Sequence, residues 1–420
     1  MSDRYRVLLV TDAYAPMIGG ADRSVQLLAA GLARRGHGVA VATAWQRRLP
    51  ATEERDGIPV HRLRDLTSRV PFVSDDPYKH VPPPFPDPEA VLRFRRLFRR
   101  FAPDVVHSYG WLTYSCAAAL SGTAIPLVLS IRDYGNLCAV RTLVRFQREP
   151  CSGPAPVKCL ECAAQHYGRA KGAVAVGGVL GGRRLLARRA RGAHFNSAHT
   201  RRVAWQHLLA GRTRIARGSP ADAAVPPFLG EAPAGPPDAE TLARVPEGCI
   251  LFVGALRRVK GVPELLEAYG RLPAPPPLVL IGTREIDTPR SFPPGVTVLE
   301  SVAHATVMAA WDRALFGVFP SRLAEPFGNV VHEAMSRGRA AIGTTPGGHS
   351  ELIVDGESGL LVPSGDVDAL TAAIRRLIDD GALRDRLATA ARERARLFAA
   401  ERALPRIEEL YRAAIDGAAA

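Results

Sequence analysis

At 420 residues the chain exceeds a single ordinary core, and a usual domain size of about 150 residues implies two or three domains. Its content of 47% hydrophobic, 23% charged and 6% aromatic residues, with 38 Gly and 35 Pro, fits a globular protein and excludes wholesale disorder. Fifty-five Lys and Arg against 41 Asp and Glu give a formal net charge of +14, which suits nucleic acid, an anionic membrane surface or phosphorylated small molecules as partners.

The first expected strand is Val7–Thr11, followed by the turn-rich loop Tyr14–Gly20 and a helix with Val25, Leu28 and Leu32 on one face, ended by Gly36. Val39–Thr43 reads as a second strand, so the chain opens a βαβ unit, which Val105–His107 and Leu127–Ser130 continue. The pattern restarts at Ile250–Val253, with further strands at Leu278–Ile281, Val296–Leu299, Gly317–Phe319 and Ala340–Gly343. Helices are expected at Pro263–Tyr269, Val330–Ser336 and Val367–Ile378, with Asp366 as an N-cap. A last helix, Leu404–Ile415, would carry Pro405 in its first turn.

Two such series predict an α/β protein with two doubly wound domains facing across a cleft, joined through Gly218–Pro237. The expected division is 1–212, 213–398, and a terminal helix over 399–420 that packs back on the first domain. No apolar run approaches the roughly 20 residues that cross a bilayer. The N-terminus leads straight into a strand without an export-signal core, so a cytoplasmic location is expected.

The segment most informative about chemistry is Ser321–Met335. After a strand it places Glu325, Pro326, Phe327, Gly328 and then a helix beginning near Asn329 and Val330, with Glu333 one turn in. A helix N-terminus behind a glycine offers free N–H groups to a diphosphate, and carboxylates accept hydrogen bonds from sugar hydroxyls. Glu325 is placed to hold a sugar and Glu333 a ribose diol.

These residues, with Gly338 and Pro346-Gly347-Gly348-His349-Ser350-Glu351, resemble the retaining glycosyltransferases of family 4, whose fold is the GT-B pair of Rossmann-like domains. Gly254-Ala255-Leu256-Arg257-Arg258-Val259-Lys260-Gly261 is similar to the family's Lys-Gly loop. Tyr14–Gly20, with Gly19 and Gly20, resembles its N-terminal glycine loop, and Asp355–Val362 its late turn. The resemblance implies an N-terminal domain for the acceptor and a C-terminal domain for the donor. It implies transfer of a sugar from a nucleoside diphosphate, UDP or GDP foremost, to an acceptor hydroxyl, with retention and without a catalytic metal. Lys260 would stabilise the leaving diphosphate, helped by backbone N–H groups near Phe327–Asn329.

Two departures from the family pattern stand out. Ala255 occupies a position where members usually carry an arginine, and Arg257 or Arg258 is the expected substitute. Arg132, in Ser130-Ile131-Arg132-Asp133, replaces a histidine that contacts the donor sugar, and a guanidinium there would suit a carboxylate on donor or acceptor. His107 is an alternative contact. The departures leave open a second reading, a GT-B sugar-nucleotide-binding protein or epimerase without transferase activity.

Cys138, Cys151, Cys159 and Cys162 have spacing that suits a structural zinc or an iron–sulfur cluster; reduced thiols are the alternative, and Cys116 and Cys249 read as buried. Arg93–Phe101 interleaves aromatics with arginines and Arg183–Arg191 is basic without aromatics, so peripheral contact with an anionic membrane stands beside ordinary surface helices. The basic residues otherwise read as scattered, and with no recognition helix a nucleic-acid partner is not expected.

Overall fold

The structure, a computed structural model, describes residues 4–16, 20–69, 80–230, 235–285 and 287–419. The chain divides into two units: Met1–Arg141, Ser152–Phe228 and Ala400–Ala420 form one, and Thr142–Cys151 with Leu229–Ala399 the other.

In the first unit the apolar runs become strands β1 (Arg6–Thr11), β2 (Gly38–Ala44), β3 (Thr52–Arg55), β4 (Ile58–Leu63), β5 (Val105–Tyr109) and β6 (Leu127–Ile131). Two later strands, β9 (Ala190–Phe195) and β10 (Asp222–Ala224), complete a sheet of order β10-β9-β6-β5-β1-β2-β4-β3. Every pair is parallel except β3 with β4. Pairing of β10 with β9 carries this unit on to Phe228, past the boundary expected at 212. Helices α1 (Gly20–Arg34), α2 (Pro88–Phe101), α3 (Leu112–Ala119), α4 (Pro156–Tyr167), α5 (Arg169–Arg189) and α6 (Ala198–Ala204) lie along the chain between strands. The arginine-rich α2 buries Phe94, Leu97 and Phe98 in its own domain and is capped by Asp87, whose carboxylate accepts from Ala90 N at 3.0 Å. Its aromatics therefore serve the core.

The C-terminal helix α14 spans Ala400–Ala419, starting earlier than Leu404, so Pro405 lies inside it and beyond the first turn. The helix buries Ile407, Leu410, Tyr411 and Ala414 in a cluster with Val25, Leu28 and Leu32 of α1. Glu408 clasps the end of α1: it accepts from Arg35 Nε and Nη2 at 2.5 and 2.8 Å and from His37 Nε2 at 3.0 Å. His37 Nδ1 accepts from Tyr5 N at 3.2 Å, which leaves its proton on Nε2.

The second unit holds β11 (Cys249–Val253), β12 (Leu278–Ile281), β13 (Val296–Leu299), β14 (Ala314–Val318), β15 (Ala340–Thr345) and β16 (Leu360–Pro363) in the order β13-β12-β11-β14-β15-β16, all parallel. Ile250 and Phe252 enter one core cluster and Cys249 and Leu251 another, so both sheet faces are covered. Its helices are α7 (Ala239–Ala243), α8 (Val262–Gly270), α9 (His304–Arg313), α10 (Asn329–Ser336), α11 (His349–Leu352), α12 (Val367–Asp379) and α13 (Gly381–Ala395). Asp366 caps α12, accepting from Ala369 N at 2.8 Å. The antiparallel hairpin β7 (Val144–Arg145) and β8 (Glu149–Pro150) groups with this unit although its sequence neighbours belong to the first.

Strand order reverses between β1 and β5 in the first sheet and between β11 and β14 in the second. Ligands of open α/β sheets bind beyond the carboxyl ends of strands at such switch points. The loops after β11 and β14 carry Lys260 and Glu325.

Candidate functional site

In the second unit the loop after β14 is tied down on two sides. Arg322 N and Leu323 N donate to Val259 O at 3.0 and 3.1 Å, joining it to the loop after β11. Thr344 Oγ1 and Ser364 Oγ donate to Ser321 O at 2.9 and 3.0 Å, joining it to the ends of β15 and β16. Within that frame Lys260 Nζ donates to Glu325 Oε1 at 2.7 Å, and Ser321 Oγ donates to the same oxygen at 2.5 Å. Burial pushes the Glu325 carboxyl up, but Lys260, His349 and the bond from Ser321 outweigh it and hold it below the ordinary value. Among the described residues Oε2 of Glu325 has no protein partner.

Gly328 has φ of 115° and caps α10, and a Cβ there would sit 2.6 Å from the His349 ring, so no other residue fits without displacement. Gly348 is equally constrained: a Cβ would lie 2.4 Å from Phe327 Cα, while Gly348 N donates to Glu325 O at 2.6 Å. Backbone thus packs directly on backbone around the start of α10, with Phe327 buried and Asn329 and Val330 opening the helix. His349 is buried, and burial drives it down to about 4, so at neutral pH it is uncharged. Thr344 N donates to its Nδ1 at 3.2 Å, which puts its proton on Nε2, beside Gly328. Lys260 is then the cation of this constellation.

Glu333 is buried one turn into α10, where Oε1 accepts from His304 Nε2 at 3.0 Å. His304 opens α9, its Nδ1 buried without a partner among the described residues, and nothing local in the sequence marks it. Oε2 of Glu333 has no protein partner among those residues. One oxygen is anchored and the other available, the arrangement a vicinal diol requires. Arg257 Nη2 donates to Gln147 Oε1 of the β7–β8 hairpin at 3.2 Å, with Asp287 3.9 Å from its Nε, and Arg258 N donates to Asp287 at 3.1 Å. Arg322, ion-paired with the buried Glu264, donates to Arg148 O at 3.1 Å. The hairpin is thereby tied to both site loops. Gly254 directly follows β11 and its N–H donates to Ile281 O at 2.9 Å.

At the switch point of the first unit lies a cluster that sequence reasoning missed. Asp12, directly after β1, accepts from Leu112 N at 2.8 Å and faces Arg141 Nη1 at 3.4 Å. Asp133, after β6, accepts from Arg141 Nη2 at 2.8 Å, Tyr109 Oη at 2.9 Å and Gly135 N at 2.7 Å. Burial raises Asp12 despite the pull of Arg141. An acidic residue immediately behind the first strand was the available signal.

Arg132 directly follows β6, its Nε donating to Ser130 Oγ at 3.2 Å and its carbonyl accepting from Asn196 Nδ2 at 3.0 Å. His107 is buried and already engaged. His194 Nε2 faces the Val225 carbonyl at 2.9 Å and must donate, so its Nδ1 accepts from His107 Nε2 at 3.1 Å; His107 Nδ1 then accepts from Tyr411 Oη at 2.8 Å. This neutral chain joins α14 to the sheet, and burial holds His194 down to about 3.

Gly19 lies outside the described residues, and Gly20 is the first residue of α1. The expected metal set is not assembled: among the described residues no group of three or more His, Cys, Asp or Glu is placed to hold an ion. Cys159 and Cys162 lie on α4, where Cys159 Sγ accepts from Ala155 N at 3.4 Å, while Cys138 follows β6 in the chain and Cys151 directly follows β8. Cys116 and Cys249 are buried.

Family models match these two halves separately. A family model described as "Glycosyl transferases group 1" matches residues 238–394, and one described as "Glycosyl transferase 4-like domain" matches residues 19–217. The glycogen synthase of Mycobacterium tuberculosis is 28% identical over 419 residues, spanning 93% of this chain and 90% of that one. A D-inositol 3-phosphate glycosyltransferase of Nocardioides is 37% identical over 107 residues, covering 26% of this chain and 23% of its own. Among solved structures, sucrose-phosphate synthase from Thermosynechococcus elongatus superposes with a TM-score of 0.69 at 21% identity, covering 97% of this chain and 98% of that one. Anabaena HepE, solved in complex with UDP-glucose, superposes with a TM-score of 0.65 at 16% identity, covering 96% and 98% of the two chains. These two likenesses are of fold. The two family matches, which together span most of the chain, place it among the group 1 glycosyltransferases, enzymes that transfer a sugar from a nucleotide sugar, and the likenesses to solved structures show that it has the GT-B fold.

Proposed function

We propose that the protein moves a sugar from a UDP- or GDP-linked donor to an acceptor hydroxyl with retention at the anomeric carbon and without a catalytic metal. The observation that carries the reading is the pair of half-satisfied carboxylates on either side of the α10 N-terminus. Glu333 Oε2 would take the ribose diol and Glu325 Oε2 the transferred sugar, each steadied through its other oxygen by His304 or by Lys260 and Ser321. Between them the backbone N–H groups of Phe327, Gly328 and Asn329 would receive the diphosphate. Lys260 would follow the charge that develops on the departing phosphate, shifting its hydrogen bond from Glu325 to phosphate oxygen; a donor fixed before reaction is worth most there. Arg257, held by Gln147, is the candidate for the charge that Ala255 does not supply, with Arg258 beside it.

In this reading the first unit takes the acceptor at the ends of β1, β5 and β6, where Asp12 and Asp133 accept hydrogen bonds from hydroxyls and Arg132 suits a carboxylate. The protein works in the cytoplasm. The leaving diphosphate takes the acceptor proton on the face it departs from, so the C–O bond to phosphate breaks as the new glycosidic bond forms and no side-chain base is required.

The test is a thermal-shift screen with UDP-, GDP-, ADP- and TDP-sugars, because a ligand that binds only the folded state raises its stability by mass action. The winning donor should then turn over in chelator-treated enzyme, with the product's anomeric configuration read by NMR. An inverted product, or turnover restored only by a divalent ion, would refute the mechanism.

A further inference from the structure

The net charge of this protein is not scattered. Between Cys162 and Ala221 the sequence holds twelve Lys and Arg and no Asp or Glu, so one stretch supplies twelve of the fourteen net positive charges. It comprises the end of α4, all of α5, β9, α6 and the turns to β10, all within the first unit. Arg201 pairs with Asp222, whereas Arg184, Arg188, Arg212 and Arg214 are exposed and have no carboxylate in ion-pair range among the described residues. Arg184, Arg188 and Arg212 line one open concavity with Ala210 and Gly211. The charges repel: burial and then Arg212 lower Arg183, and burial and then Arg191 and Arg214 lower Arg189.

The same hairpin exposes apolar side chains. Val157 and Leu160 on α4 are 70% and 42% exposed, and Val174 on α5 is 56% exposed. On α5 the exposed positions Ala170, Val174, Gly177, Gly181, Arg184 and Arg188 recur at helical spacing along one face. The glycines of α5 sort by face. Gly172, Gly178 and Gly182 would drive a Cβ to 2.8, 2.7 and 2.2 Å from Ala163, Pro84 and Tyr114, whereas Gly177 and Gly181 have nothing within 4 Å. Along α5 this exposed face is therefore small and apolar from Ala170 to Gly181 and cationic at Arg184 and Arg188, with Val157 and Leu160 exposed on the neighbouring α4.

We infer that the α4–α5 hairpin and the Ala210–Arg212 turn form a docking surface for an anionic phospholipid bilayer. A bilayer matches both halves of this face at once: guanidinium forks pair with headgroup phosphates, while Val157, Leu160 and Val174 enter the boundary with the acyl chains. A free phosphate would use the arginines and leave the valines unexplained. Nucleic acid would do the same. The inference is independent of the donor site, which lies in the other unit.

The test is flotation of the full chain with vesicles of phosphatidylcholine mixed with phosphatidylglycerol, against phosphatidylcholine alone. Wild type should float with the anionic vesicles only, and raised salt should release it. In Arg184→Gln/Arg188→Gln/Arg212→Gln the partition coefficient should fall by about a hundredfold, the loss expected when three basic side chains leave an anionic surface. Val157→Ser/Val174→Ser should weaken binding several-fold, with near-UV circular dichroism and donor-induced thermal shift unchanged in both variants. Absence of flotation, flotation equal in the triple variant, or arginine-dependent binding of pyrophosphate or duplex DNA without flotation would overturn the inference.

Discussion

Replacing Lys260 with alanine separates what its ammonium does for the fold from what it does for the reaction. The bond it loses is 2.7 Å long, to a carboxylate whose side chain is 11% exposed. Removing one partner of a buried ion pair costs about 3–5 kcal/mol. Because the Lys260 side chain is itself 31% exposed, water reaches the pair and about 1–3 kcal/mol is expected. Without Lys260 the main influence lowering Glu325 is gone and burial dominates, so its carboxyl rises. The sign of the pH dependence then inverts. In the wild type a depressed Glu325 contributes stability that is lost as pH falls through its folded value. In the variant a raised Glu325 contributes stability present in acid and lost as pH rises. Urea midpoints from acid to neutral pH read this directly, and Lys260→Ala/Glu325→Gln should recover part of the loss at neutral pH because no charge remains buried. Turnover should fall on the order of a hundredfold or more in both, the usual effect of losing a group aimed at developing charge. A folded Lys260→Ala enzyme with turnover within a few-fold of wild type would refute the assignment.

Other expectations follow from buried groups. Burial holds His332 and His349 down to about 4, against an ordinary value of about 6.5, so the unfolded chain binds protons first and stability is lost as pH falls across that interval. The loss is at most about 3 kcal/mol for each, and His332→Gln should flatten the urea-midpoint profile there. On α5, Gly182→Ala should destabilise by about 1–3 kcal/mol through its 2.2 Å approach to the Tyr114 ring. Gly181→Ala, facing open space on the next residue, should stabilise by about 0.5–1 kcal/mol, and thermal melts of the two variants should move in opposite directions.

The strands were legible as short apolar runs: Leu278–Ile281, buried throughout, and the half-buried edge strand Val296–Leu299 are observed with the expected bounds. Gly328 and Glu325 were legible because a backbone crossing and a loop carboxylate need particular residue types at fixed spacing. What the sequence concealed is long-range. His304 reaches Glu333 from another helix, and Tyr411 reaches His107 across most of the chain. The β7–β8 hairpin groups with the second unit through Arg257 and Arg322, a choice that no local pattern encodes. Cysteine spacing suggested a metal set, yet ligation depends on where α4 meets the segments that carry Cys138 and Cys151, and among the described residues no such set is assembled. The start of α14 was misplaced because Pro405 looked like a first-turn residue, whereas packing against α1 sustains the helix around it.

The account rests on Glu333 gripping a ribose diol, and calorimetric affinity for the preferred nucleoside diphosphate and its 2′,3′-dideoxy analogue measures that grip. Wild type should bind the parent on the order of ten- to a hundredfold more tightly, the worth of hydrogen bonds to a charged acceptor, and Glu333→Ala should bind the two alike. Undiminished discrimination in Glu333→Ala would place the ribose elsewhere and contradict the account.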